Sequence, residues 1–154
     1  MIRMPLLELF TFVLCAFFQA PAAPLKEGIL DAQEMAQFSR AQKVDDRIQV
    51  YAAASLRMER SMTAEIGTND FSHIPKELDL WVELLSGSLN DIDANIQPKK
   101  KSKYLIRYEI QVRKALAVLK EFKVKAPIDQ QDIFDSKLTE AEAIRKRFVD
   151  IIFR

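Results

Sequence analysis

From Leu25 onward, apolar residues recur every three or four positions, the period of a helix with one buried face. No stretch alternates apolar and polar residues like a half-buried strand. Four stripes stand out. The first runs from about Gly28 to Glu65 through Val44, Ile48, Tyr51, Met58 and Met62, with Ser55 on the same face and Gly67 as a stop signal. Leu30, Met35 and Phe38 lie off that stripe. A kink or a short separate helix breaking near Ser39–Lys43 would reconcile the two faces. The second runs from Pro75 to Ile96 through Leu78, Trp81, Val82, Leu85, Leu89 and Ile92, and Pro98 ends it. The third, Ser102 to Lys125, carries Leu105, Tyr108, Val112, Ala115, Leu119 and Phe122 before Pro127. The fourth runs from Asp129 to the end of the chain through Phe134, Leu138, Ala141, Phe148 and Ile152.

The links between the stripes are short, which sets consecutive helices antiparallel. The expected fold is all-α: an up-and-down antiparallel four-helix bundle with a long first helix, in a single domain over residues 23–154. Only three glycines occur in 154 residues, so glycine-rich phosphate loops and β-turn chemistry have little to draw on. Such stripes resemble those of many bundle families, phosphate-uptake regulators among them. The metal-binding E-x-x-x-D repeat of those regulators has its spacing here only at Glu27 and Asp31, so no motif names a family.

The first two dozen residues differ from the rest. Arg3 precedes the uncharged run Leu9–Phe18, and Gln19-Ala20-Pro21-Ala22 follows with small residues at both A-x-A positions. This is the three-part pattern of a signal peptide over residues 1–22, cleaved near Ala22. The run is too short to span a bilayer, which needs about 20 residues. The mature chain would then be exported, periplasmic or extracellular. It would also be free of cysteine, because Cys15 is the only one. Such a chain relies on core packing without disulfides.

Net charge is +1, but it is divided. Residues 26–96 carry 7 basic and 13 acidic side chains, and residues 97–154 carry 15 and 8. Acidic helices packed beside basic ones account for this division plainly. A functional account gathers Lys99, Lys100, Lys101, Lys103, Arg107, Arg113 and Lys114 into a patch for an anionic membrane or ligand. Few aromatics interleave these lysines, so nucleic acid is not expected as a partner.

Catalytic and metal chemistries find few residues. The only histidine, His73, sits in a link, so Glu-x-x-His metal pairs, zinc sites and histidine-based nucleophile systems lack their parts. No cofactor and no metal are expected. Three carboxylate groupings have helical or adjacent spacing: Asp79 with Glu83, Asp129 with Asp132 and Asp135, and Asp45 with Asp46. Solvent exposure or a helix N-terminus explains each of them. Leu80 and Leu84 lie opposite the core stripe of their helix and form a candidate partner surface. Gly87, between Ser86 and Ser88, marks a close approach, preferentially within the bundle. Arg145 interrupts the last stripe. It either snorkels to the bundle margin, the preferred reading, or pairs with Glu109.

The functional expectation is a small exported non-catalytic bundle that binds another protein or self-associates. The alternative is a peripheral binder of anionic membrane or ligand through residues 99–114. A carboxylate-based hydrolase ranks last.

Overall fold

A computed structural model describes residues 25–154. The expected signal peptide, with Cys15, lies outside the described residues. The described chain is all-helical, with five helices where four stripes were read: α1 (Ala32–Arg40), α2 (Val44–Gly67), α3 (Ile74–Asn95), α4 (Lys103–Lys123) and α5 (Ile128–Ile152). The extra helix is the predicted break. The first stripe divides between Arg40 and Val44, where the apolar face changes direction.

α1 starts on a capping box, in which the Asp31 side chain accepts from the Glu34 amide and Glu34 accepts from the Asp31 amide. α2 ends differently from the expected glycine cap. The helix runs through Gly67, and Asn69 takes the left-handed turn at φ 59°. Asparagine tolerates that conformation better than most residues.

The four long helices associate in a specific order. α2 packs on α3 and on α4, and α5 packs on α3 and on α4; α1 lies on α2 alone. Consecutive long helices are antiparallel, as the short links require. Yet α3 and α4 do not sit side by side. They face each other across the diagonal, where Ser88 and Tyr108 share a hydrogen bond of 3.1 Å. α2 therefore runs parallel to α4, and Gln111 Nε2 donates to the Ala52 carbonyl between them at 2.8 Å.

Trp81, Tyr51, Tyr108, Phe134 and Phe148 are fully buried in the centre. Trp81 Nε1 donates to Ser55 Oγ at 2.8 Å, so the serine on the α2 stripe meets the one large donor that needs it. The Tyr108 and Phe148 rings lie 5.3 Å apart, joining α4 to α5.

The segment before α1 corrects one expectation. Leu80 and Leu84 do not form an outward pair: Leu84 is fully buried, and Leu80 is half-buried against the core. Residues 25–30 run over that side of α3. Lys26 pairs with Glu83, Ile29 and Leu30 are buried, and a Cβ on Gly87 would overlap Leu25 Cδ2. The close approach at Gly87 is thus made by the chain's own N-terminal strap. Helical periodicity finds the faces of one helix, but it cannot show a non-helical segment lying across them.

Candidate anionic interface

One end of the molecule gathers the start of α2, the end of α3, the start of α4 and the end of α5. Ser102 organises this end. Its hydroxyl accepts from the Leu105 amide as the α4 N-cap and donates to Asp45 Oδ1 at 2.6 Å. The start of α4 is thereby tied to the start of α2. The loop between α3 and α4 projects from this tie, with Lys99, Lys100 and Lys101 all exposed.

Phe153 reaches the same place from α5 and is 76% exposed. Lys101 Nζ lies 5.7 Å from its ring centroid. Two shallow depressions flank the loop. One, of about 230 Å³, opens between Lys43, Asn95 and Lys100; the other, of about 290 Å³, lies between the loop and residues 151–154. The helix dipoles cancel here, because two N-termini and two C-termini share this end. Side-chain charge decides its character. Arg154 is held by Asp93 at 2.7 Å, whereas Lys99, Lys100, Lys101 and Lys103 have no ion-pair partner among the described residues.

The seven basic residues read from the sequence do not form one patch. Lys99, Lys100, Lys101 and Lys103 cluster at the end. Arg107 and Lys114 continue from Lys103 along one exposed line of α4, about 16 Å long over eleven residues. Arg113 falls on another face, 3.9 Å from Glu109.

Other sequence candidates resolve into local bonds. Asp79 pairs with Lys137 at 2.6 Å, Asp135 with Lys123 at 2.5 Å, and Asp45 accepts from Ser102. The Lys137 ammonium holds the Asp79 carboxyl below its usual range. His73 is exposed at the N-cap of α3 and makes no side-chain cap bond. No group of three or more His, Cys, Asp or Glu suited to a metal ion occurs among the described residues. No helix among them is long and apolar enough to cross a membrane.

Arg145 corrects the preferred snorkelling reading. Its guanidinium donates to Glu109 at 2.7 Å and to Glu142 at 2.7 Å. A second buried charge was missed altogether. Arg47 makes a two-pronged bond to Asp91, at 2.7 and 2.8 Å, and Tyr51 and Asn95 each donate to the same carboxylate at 2.8 Å. Burial and the adjacent carboxylate push the Tyr51 hydroxyl well above its ordinary range. A signal did exist for this network: Arg47 and Asp91 are each a charged residue beside a core stripe, on consecutive antiparallel helices.

No family model matches this chain, and neither a curated protein nor a solved structure is detectably similar to it.

Proposed function

We propose that this protein is a non-catalytic four-helix bundle of α2–α5, exported from the cytoplasm, whose basic end docks on a membrane surface rich in anionic lipid. One observation carries the reading: four lysines at 99–103, without ion-pair partners among the described residues, share this end with the exposed ring of Phe153, which Lys101 Nζ approaches to 5.7 Å. Lysines near an anionic bilayer contribute about 1 kcal/mol each, and an exposed phenyl ring buries at the headgroup–acyl boundary. The lysine line through Arg107 and Lys114 lets the molecule tilt onto the same surface. Binding through Leu80 and Leu84 has lost its support, because Leu84 is covered by the chain itself.

Cosedimentation of the full chain with phosphatidylglycerol–phosphatidylcholine vesicles tests this. Binding should weaken steeply with salt and vanish on pure phosphatidylcholine. A Lys99→Ala, Lys100→Ala, Lys101→Ala variant should bind on the order of 100-fold more weakly, from about 1 kcal/mol per lysine. Salt-insensitive binding, or an unchanged triple variant, would overturn the reading.

A further inference from the structure

A larger concavity lies elsewhere, along α5 and the last turn of α4, with a volume of about 810 Å³. Its centre is built from small residues. Thr139 and Ala143 stand one turn apart and exposed, and Leu138 lies buried beside them. At its far end, Val124 is 81% exposed, and Ile128, just beyond, is 88% exposed. These are the two most exposed large apolar side chains among the described residues.

The charges in this groove are unequally satisfied. Its two acids are already paired, Asp135 with Lys123 at 2.5 Å and Glu142 with Arg145 at 2.7 Å. Its two other lysines, Lys120 and Lys146, have no ion-pair partner among the described residues. The groove therefore offers an apolar floor with two lysines on its rim that make no ion pair, both near enough to Glu142 to help keep its carboxyl ionised. From Gln131 to Lys146 it follows α5 for about 22 Å, the length of four helical turns.

We propose that this groove seats an amphipathic helix of a partner protein, with an apolar stripe on Leu138, Thr139, Ala143 and Val124 and acidic flanks on Lys120 and Lys146. Small residues in the centre let a helix backbone come close, and paired charges at the rim set its register. A flat bilayer does not fit a concave seat. A second copy of this chain is a poor occupant as well. Its acidic helices α2 and α3 spend their apolar stripes on their own core, and the exposed large apolar residues among the described residues (Met35, Val124, Ile128, Ile133 and Phe153) make no helical stripe. The proposal is independent of the membrane reading, because it uses none of the residues at the basic end.

The test uses the full chain and three fluorescein-labelled 15-residue peptides. One has leucines in 3–4 spacing flanked by glutamates, one has the same composition scrambled, and one has lysine in place of glutamate. Anisotropy should show saturable binding of the first, at least tenfold tighter than either control. Lys120→Glu with Lys146→Glu should weaken that binding tenfold or more while helicity by circular dichroism is unchanged. Ala143→Trp, which fills the floor, should do the same. The Lys99/Lys100/Lys101→Ala variant should bind the peptide like the parent chain. Three results would overturn the proposal: equal binding of the scrambled or lysine peptide; loss of binding only in the 99–101 variant; or a self-associated chain that Lys120→Glu with Lys146→Glu returns to monomer, which would make the occupant a second copy.

Discussion

Arg47–Asp91 and Arg145–Glu109 each bridge an antiparallel pair of helices, α2 with α3 and α4 with α5, but they do so in different surroundings. The first pair is sealed, with side chains 7% and 0% exposed, and the aspartate also accepts from Tyr51 and Asn95. The second is nearer water, at 18% and 10%, and its arginine is shared with Glu142. Removing one partner of a sealed pair strands a charge in low dielectric. Removing one partner of an open pair lets water take its place. One charge motif can therefore be a fold-specifying pin in one half and a modest tether in the other.

Three variants and a salt comparison separate the two roles. The largest effect belongs to Asp91→Ala, which leaves Arg47 buried and unpaired. It should cost about 3–5 kcal/mol in guanidinium unfolding followed by circular dichroism. The double change Arg47→Met with Asp91→Leu should recover part of that loss, since it removes both charges together. Arg145→Ala should cost about 1 kcal/mol. Its cost in urea unfolding should also shrink when salt is raised to about 1 M, where the Debye length is about 3 Å, whereas the Asp91→Ala cost should not. Equal costs, or equal salt responses, would erase the distinction.

The smallest effect concerns acid. Arg145 holds the Glu142 carboxyl below its usual value of 4.5, so this pair within α5 contributes stability above that pH and loses it as pH falls further. Glu77, on α3, behaves in the opposite way. Burial raises its carboxyl above 4.5 despite the bond from Ser61, so its charged form costs stability near pH 7 and protonation relieves the cost. Glu77→Gln should therefore stabilise the protein slightly near pH 7, with the gain gone well below 4.5. A gain that persists in acid would show that charge is not its origin.

Much of the fold is legible in the residues. The stripes at Leu78–Ile92 and Leu105–Phe122 report their helices because burial on one face repeats with the helical turn. Pro75 and Ser102 mark helix starts through local backbone chemistry. The break between Arg40 and Val44 is legible too, because the apolar phase changes there. The lysines at 99–101 are a contiguous run, so their exposure in the loop before α4 needs no long-range information. The Leu80–Leu84 surface was misread because residues 25–30, which have no helical period of their own, lie against that side of α3 at Glu83 and Gly87. The Arg47–Asp91 network escaped because a charge beside a core stripe finds its partner 44 positions away.

What the sequence alone determined is local: helical character, helix ends, the phase of each buried face and the uneven division of charge. Each follows from interactions within a few residues, where the 3.6-residue turn and capping dictate geometry. Only the tertiary structure decided which helices are neighbours, that α3 and α4 face each other across the diagonal, and that residues 25–30 lie against α3 at Glu83 and Gly87. The same holds for the meeting of Phe153 with the lysine loop and for the groove beside Lys120 and Lys146. These depend on how separate faces pair in space, and many pairings bury the same apolar stripes. The choice among them rests on side-chain fit and on a few buried polar bonds between residues distant in the chain.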